Sequence, residues 1–212
     1  MVKVSASLLS ARDNLDNMIY TMNNLDIDYI HLDIMDGLFV PNTSYTDDEI
    51  NNIMNNSKKM IDVHLMVNDL EKYINYYIKD NVESITIHYE ALKDLNVIDQ
   101  IKNKNIKCGI SIKPDTKVES IYHLLPFIDK VLIMSVEPGS GGQPFIPSSL
   151  DKISKLRKKI DSLNLNVLIS VDGGINNNSA KECIESGVDI LVIGSALTNN
   201  SNKSDFISQI KM

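Results

Sequence analysis

The sequence predicts an α/β protein, a closed (β/α)8 barrel that forms one domain over residues 1–212. Three observations predict it: short apolar runs recur along the chain, amphipathic segments separate them, and polar or glycine residues collect where the runs end. Parallel strands that are covered on both faces have this character. An open doubly wound sheet shares the alternation, but it keeps its first and last strands apart, whereas a closed barrel brings every strand end to one mouth.

The predicted strands are eight short runs rich in valine and isoleucine, residues that favour extended backbone. In chain order they are VKVSASLL (2–9), IDYIHLDI (27–34), MIDVHLMV (60–67), ESITIHY (83–89), IKCGISI (106–112), KVLIMSV (130–136), NVLISVD (166–172) and DILVIGS (189–195). They recur about every 25 residues, which suits a chain of βα units in a barrel of this size.

The predicted helices carry apolar side chains at helical spacing and polar ones on the opposite face. The clearest are segments 14–25, 70–78 and 150–160. Residues that favour helix starts precede the last two, at Asn68-Asp69 and Ser148-Ser149. We expect these segments to form the outer layer of the barrel.

Composition excludes several classes of function. The net charge of −7 and a pI near 5.1 argue against a nucleic-acid partner. No stretch approaches the ~18 apolar residues of a membrane span, and the start MVKVSASLLSARD does not have the pattern of a secretion signal. Cys108 and Cys183 lie far apart in apolar surroundings, which predicts no disulfide and a cytoplasmic location.

Polar residues at the strand ends predict a site. His31 and Asp33 are two residues apart, so they lie on one side of the second strand. His64 lies near the end of the third strand, and Asp172 ends the seventh. Two imidazoles and two carboxylates suit a divalent ion such as Zn, Fe or Mn. A histidine in a strand is more often a hydrogen-bonded core residue, so residue types alone leave both interpretations open. His88 ends the fourth strand, and we expect it to support the site from outside.

Three glycine-bearing turns follow the last three predicted strands, at 138–143, 172–176 and 194–196. Glycine lets main-chain N–H groups approach an anion closely, and barrels often bind phosphate after strands seven and eight. The turns therefore predict a phosphate site whose main-chain dipoles can hold an anion in an acidic protein. The stretch 137–147 is long for a βα loop, which predicts a lid.

Eight segments carry a resemblance to a known family. In chain order they read SASLLSA, HLDIMDGLFVPN, DVHLMV, IHYEA, CGISIKP, MSVEPGSGGQPF, VDGGI and GSA. In sequence and order they resemble the ribulose-phosphate 3-epimerase family, and they cover nearly the whole chain. The resemblance implies a (β/α)8 TIM barrel of the ribulose-phosphate-binding type and an isomerase of the pentose phosphate pathway. We also expect the chain to form a homo-oligomer.

The resemblance also implies the roles of particular residues. One divalent ion, zinc or alternatively iron, manganese or cobalt, would be held by His31, Asp33, His64 and Asp172. Asp33 and Asp172 would be the acid and base that interconvert D-ribulose 5-phosphate and D-xylulose 5-phosphate through an enediolate. The implied substrate-binding residues are Ser7, Met35, His64, Met66, Met134, Gly139, Gly141, Gly142, Gly173, Gly174, Gly194 and Ser195.

Some positions depart from the family pattern. Ala6 stands where the family commonly has proline, and Arg12 stands where it commonly has aspartate. Ser140 replaces an aromatic residue in the predicted lid, and segment 43–48 lacks an expected glycine. None of these changes removes an implied ligand or catalyst, but the last two leave substrate choice and lid behaviour open.

Other functions stay open at this point. A 3-epimerase of a hexulose phosphate, such as D-allulose 6-phosphate, would use the same residues. A metal-free decarboxylase of the orotidine-phosphate type carries Asp-x-Lys-x-x-Asp at the second strand, where this chain reads HLDIMD (31–36) and has no lysine. A non-catalytic phosphate-binding barrel would be favoured by a missing catalyst, and none is missing.

Overall fold

The computed structural model describes residues 1–211, and its eight parallel strands form the predicted closed barrel. The strands are β1 (Lys3–Ser7), β2 (Tyr29–Met35), β3 (Met60–Met66), β4 (Val82–His88), β5 (Lys107–Ile112), β6 (Lys130–Met134), β7 (Leu168–Asp172) and β8 (Ile190–Ile193). Each pairs with the next in sequence, and β8 closes the barrel against β1, with Lys3 opposite Ile190 and Ala6 opposite Ile193. The open-sheet alternative is therefore excluded.

Helices surround the strands. They are α1 (Leu15–Asn23), α2 (Asp47–Asn56), α3 (Leu70–Tyr77), α4 (Asn96–Lys102), α5 (Ser149–Ser162), α6 (Asn177–Glu185), α7 (Ser195–Thr198) and α8 (Lys203–Lys211). Residues 1–211 also contain three 3₁₀ segments, each following a strand: Leu9–Asn14, Tyr89–Ala91 and Val118–Phe127. Within residues 1–211, every helix is too short or too polar to cross a membrane.

The three segments predicted as helices are α1, α3 and α5, and their bounds differ from the predicted ones by one or two residues. Asp69 caps α3 as predicted, because its side chain accepts a hydrogen bond of 3.2 Å from the Lys72 N–H. Ser148 precedes α5 but makes no capping hydrogen bond. Its backbone is already helical, with φ −62° and ψ −14°, whereas a capping side chain needs an extended residue.

The barrel interior has a polar side and an apolar side. Alternate side chains of the strands point outward and pack against the helices, as Ile30, Leu32 and Ile61 do. The buried polar residues that point inward include Ser5, His31, Asp33, Asp62, His64, Ser84, Thr86, His88, Ser111, Lys130 and Ser170. Leu132, Met134, Val136 and Val192 form a separate apolar cluster. Cys108 and Cys183 are buried and free, so the prediction that they form no disulfide is confirmed.

One set of contacts connects two departures from the family pattern, Arg12 and segment 43–48. Both Nε and Nη2 of Arg12 donate to the Glu49 carboxylate, at 3.2 and 2.7 Å, and the guanidinium lies 5.6 Å from the Tyr45 ring centroid. Glu49 also accepts from the Thr46 N–H at 2.7 Å, while the Thr46 hydroxyl accepts from the Glu49 N–H at 3.3 Å. This reciprocal capping box starts α2. The segment therefore leads into a capped helix that Arg12 holds in place.

We expect Thr46→Ala to lower the free energy of unfolding by about 1 kcal/mol, because it removes the cap of α2. Chemical denaturation monitored by circular dichroism measures this. Thr21→Ala is the matched control, since the Thr21 hydroxyl donates to the Asn17 carbonyl inside α1 and caps nothing. Equal losses in the two variants would contradict the capping role.

Candidate active site

Closure of the barrel brings four of the predicted side chains together. His31 and Asp33 from β2, His64 from β3 and Asp172 from β7 each offer one ligand atom, and these atoms all lie within 4.8 Å of one another. His31 Nε2 is 3.3 Å from Asp33 Oδ1 and 3.9 Å from Asp172 Oδ2. His64 Nδ1 is 3.2 Å from the same Asp33 oxygen and 3.8 Å from the same Asp172 oxygen. We call these four residues the His/Asp cluster.

The His/Asp cluster has the geometry of a cation site. Four tetrahedral donors about 2.1 Å from a zinc ion lie about 3.4 Å from one another, close to the separations observed here. His31 Nε2 is buried and has no hydrogen-bond partner among residues 1–211, which is costly for a polar atom. Ser7 donates to Asp33 Oδ2 at 2.9 Å and leaves Oδ1 facing the cluster. The cluster can therefore hold a divalent metal ion.

The two histidines of the cluster differ in protonation. Burial lowers the pKa of His31, but the carboxylates of Asp33 and Asp62 outweigh it and raise that pKa to about 10. Burial lowers the pKa of His64 to about 4, and the adjacent Asp33 carboxylate offsets this only in part. When no cation is bound, His31 therefore carries a proton where a metal ion would sit, and His64 is neutral at pH 7.

The two carboxylates of the cluster have pKa values shifted in opposite directions. Burial and the negative charge of Asp33 raise the pKa of Asp172 to about 7. Burial opposes ionisation of Asp33 as well, but the adjacent His31 and His64 lower its pKa. Paired groups whose surroundings separate their pKa values are suited to act as acid and base.

His88 supports His64 from the side away from the cluster. Their Nε2 atoms lie 3.0 Å apart, and the stacked rings have centroids 5.0 Å apart. His88 Nδ1 lies 3.1 Å from the Glu90 carboxylate, which also accepts from the Thr116 hydroxyl and the Lys113 N–H. A neutral His88 donates a hydrogen bond to this carboxylate through Nδ1–H, so its Nε2 accepts a hydrogen bond from the His64 Nε2–H. This arrangement leaves His64 Nδ1 free to face the cluster.

The cluster lies at the floor of a cleft of about 630 Å³, a volume typical of small-molecule sites. All the predicted substrate-binding residues line this cleft except His64, which is buried beneath it. The lining residues of that set are Ser7, Met35, Met66, Met134, Gly139, Gly141, Gly142, Gly173, Gly174, Gly194 and Ser195.

The turn after β7 requires glycine at two positions. Gly173 has φ +120° and Gly174 has φ +65°, in the region that disfavours other residues. An added Cβ would lie 2.4 Å from the Val136 side chain at the first position and 2.3 Å from the Phe145 N at the second. The turn is therefore packed closely against the segment that follows β6, and both line the cleft.

Segment 137–147 contains no strand or helix and borders the cleft, as expected for a lid. The side chain of Asn42 donates to the Gly139 carbonyl at 2.9 Å and to the Ser140 hydroxyl at 3.1 Å. Gln143 donates to two carbonyl groups within the segment, at 2.7 and 2.8 Å. Ser140, at the position where an aromatic residue is expected, thus ties the segment to the loop after β2 by hydrogen bonds.

The cleft is also lined by residues that were not predicted from the sequence to belong to the site: Leu9, Ser10, Val136, Phe145 and Asn199. Leu9 and Ser10 lie within three residues of the end of β1, and Val136 lies two residues after the end of β6, so the order of elements already implied their place at the barrel mouth. Their residue types gave no signal, because serine, asparagine and single apolar residues are common in loops of every kind. The Ser10 hydroxyl lies 3.0 Å from that of Thr198 and joins the loops after β1 and β8.

The closed (β/α)8 barrel, with the His/Asp cluster beneath a glycine-lined cleft, has the architecture of a barrel enzyme. The sequence profile of the ribulose-phosphate 3 epimerase family matches residues 3–198. A ribulose-phosphate 3-epimerase of Bacillus subtilis is 37% identical over 214 residues, covering 100% of this chain and 99% of that protein. The one of Synechocystis sp. is also 37% identical, covering 99% and 93%. The chain belongs to the ribulose-phosphate 3-epimerase family, as its sequence motifs predicted.

Solved structures share the fold at much lower identity. The crystal structure of KGPDC from Streptococcus mutans has a TM-score of 0.67 at 14% identity, covering 100% of this chain and 96% of that one. A 3-hexulose-6-phosphate synthase has a TM-score of 0.65 at 14% identity, covering 99% and 97%. At these identities the likeness supports the fold alone.

We expect Zn²⁺ binding to release protons, because the ion would replace those on His31 and Asp172. With pKa values of about 10 and about 7 for these groups, roughly two protons should leave per ion at pH 6 and roughly one at pH 8.5. The apparent affinity should therefore rise with pH. Calorimetric titrations in buffers of different ionisation enthalpy measure the released protons, and a release that is absent or independent of pH would contradict these assignments.

Proposed function

We propose that this chain interconverts D-ribulose 5-phosphate and D-xylulose 5-phosphate, and that Asp33 and Asp172 transfer the protons. One observation carries the proposal: two carboxylates with oppositely shifted pKa values face two histidine nitrogens, with all four ligand atoms within 4.8 Å of one another. The names of the relatives from Bacillus subtilis and Synechocystis sp. support the substrate.

Inversion at C3 of a ketose phosphate needs a proton removed from one face of the carbon and another returned to the opposite face. After the first step the neighbouring ketone makes the carbon flat, as part of an enediolate. Asp33 lies on β2 and Asp172 on β7, and these strands are separated in the barrel by β1 and β8. The two carboxylates can therefore approach the flat intermediate from different sides, and the substrate need not turn over.

The pKa directions assign starting roles to the two carboxylates. Asp33 is ionised and can accept the C3 proton, and Ser7 orients it with a hydrogen bond of 2.9 Å. Asp172, with a pKa of about 7, can donate a proton to the other face. In the reverse reaction the roles exchange. A divalent ion held by the His/Asp cluster, which we propose to be zinc with iron, manganese or cobalt as alternatives, would supply positive charge beside the oxygen atoms that become negative.

The cleft has an apolar region at its floor and, in this proposal, a separate region that binds the phosphate. Met35, Met66 and Met134 are nearly buried at its floor, and they offer a dry surface that limits protonation by water. For the phosphate we propose the main-chain N–H groups of the three glycine turns, at Gly142, Gly173, Gly174, Gly194 and Ser195. These dipoles let a chain with a net charge of −7 bind an anion.

A hexulose phosphate such as D-allulose 6-phosphate would use the same catalytic groups. The names of the relatives favour the pentulose phosphate. We therefore expect kcat/KM to be higher for D-ribulose 5-phosphate than for D-allulose 6-phosphate when both are measured with the same preparation. The opposite order would reassign the substrate while leaving the mechanism in place.

Asp172→Asn should reduce kcat about 100- to 10,000-fold, because the amide cannot carry the transferred proton. A coupled assay of xylulose 5-phosphate formation measures this. Asp161→Asn makes the same chemical change on α5, where the side chain is 64% exposed, and it should leave kcat within about two-fold. An Asp172→Asn variant that keeps more than about a tenth of the wild-type rate would contradict the role of Asp172 as proton carrier.

Turnover in heavy water should introduce deuterium at C3 of the product. The proton added by the second carboxylate exchanges with solvent, whereas a hydride shift within the sugar would keep the original hydrogen. Proton NMR of the C3 signal during the reaction measures the exchange. Product that forms without deuterium at C3 would rule out the two-carboxylate mechanism.

A further inference from the structure

A buried ion pair lies inside the barrel, one layer below the His/Asp cluster. Asp62 on β3 is 1% exposed and Lys130 on β6 is 3% exposed. In the strand register, Asp62 stands beside His31 on one side and beside Ser84 on the other. Lys130 reaches Asp62 from across the barrel, past Gly109 on the intervening strand β5.

The Asp62 carboxylate accepts hydrogen bonds from four side chains. Its Oδ2 accepts from His31 Nδ1 at 3.1 Å and from the Ser5 hydroxyl at 3.2 Å. Its Oδ1 accepts from the Ser84 hydroxyl at 2.6 Å and from the Lys130 ammonium. A carboxylate has about four favourable acceptor positions, so this one is fully used and cannot turn.

These bonds determine which nitrogen of His31 faces the cluster. An ionised carboxylate can only accept a hydrogen bond, so His31 Nδ1 must carry a proton. A neutral His31 then has its lone pair on Nε2. That atom is buried, has no hydrogen-bond partner in the described part of the chain, and lies 3.3 Å from Asp33 Oδ1. The Asp62 contact therefore directs the free nitrogen of His31 toward the cation site.

Lys130 supplies the charge that this arrangement needs. A buried carboxylate without a counter-charge is unstable, and the Lys130 ammonium contacts it directly and also donates to Ser84 at 2.9 Å. Gly109 makes room for the lysine, because a Cβ there would lie 3.1 Å from Lys130 Cε and 2.5 Å from Thr86 Oγ1. A buried ion pair often contributes no more stability than apolar residues of similar volume. Fold stability alone therefore does not explain why Asp62 and Lys130 form an ion pair inside the barrel.

We propose that Lys130 and Asp62 act together as a positioning pair, which fixes the orientation and tautomer of His31 so that Nε2 is available to a divalent ion. Neither residue touches the substrate cleft in this role; both act through His31. This inference rests on one part of the proposed function, namely that the His/Asp cluster binds a cation.

The experiment measures cation affinity and fold stability separately. Zn²⁺ and Co²⁺ affinities are determined by chelator competition, and thermal unfolding of the metal-free protein gives stability. Asp62→Asn should weaken both affinities about 10- to 100-fold, as losses of such supporting carboxylates do. It should also destabilise the fold, because Lys130 is left as an unpaired buried cation. Ser170→Ala truncates another buried polar side chain of the barrel interior, one whose hydroxyl makes no hydrogen bond within residues 1–211, and it should keep the affinities within about three-fold.

The double variant Asp62→Asn/Lys130→Met distinguishes positioning from a structural role. Removing both charges should restore much of the melting temperature that Asp62→Asn loses, because no unpaired charge stays buried. The Zn²⁺ affinity should stay weak, since the carboxylate that orients His31 is still missing. Affinity that recovers together with stability would overturn the proposal.

A measurement on the wild-type protein keeps the proposal testable if the variants do not fold. In Zn²⁺-loaded protein with ¹⁵N-labelled histidine, His31 should bind through Nε2 and keep a slowly exchanging proton on Nδ1. Coordination through Nδ1 would overturn the positioning role. Wild-type protein that binds neither Zn²⁺ nor Co²⁺ would instead contradict the metal site of the proposed function. Tight wild-type binding that Asp62→Asn leaves unchanged would contradict only the inference about Lys130 and Asp62.

Discussion

The structure depends on holding two carboxylates and two imidazoles within 4.8 Å of one another beneath the barrel mouth. Asp33 and Asp172 repel one another, and burial makes each charge more costly. Only a closed barrel brings β2, β3 and β7 to one place, and only positive charge makes such a cluster stable. In this chain the proton on His31 supplies that charge when no cation is bound, and in the proposed function a divalent ion would take its place.

The polar side and the apolar side of the barrel interior contribute differently to the site. The polar side, which includes Asp62 and Lys130, holds His31 in place, while the contact between His88 and Glu90 holds His64. The apolar side of the interior, with Met134, leads into the cleft floor, where it would keep water from the reacting carbon in the proposed function. In the proposed function, the glycine turns would bind the phosphate end of the substrate through main-chain N–H groups. Each part uses a different kind of interaction, so an acidic chain can bind an anionic sugar.

Much of this arrangement could be predicted from sequence, because barrel strands obey simple rules. The two-residue spacing of His31 and Asp33 placed both side chains on one face, and the chain order of strands placed Asp172 near them. The partners across the barrel could not be predicted in this way. In the sequence, Asp62 lies within a predicted apolar strand, and Lys130 is the polar first residue of another predicted strand, so neither position indicates a buried ion pair. Their contact depends on strand tilt and on the space left by Gly109, which no local pattern encodes.

The most direct test of the account is a chelation titration in which bound metal and epimerase activity are measured on the same samples. The purified protein should contain one equivalent of zinc, iron, manganese or cobalt. Activity should fall in proportion to the ion removed and return when Zn²⁺ or Co²⁺ is added. Protein that stays fully active after exhaustive chelation, with no metal detectable, would contradict the claim that the His/Asp cluster works around a cation.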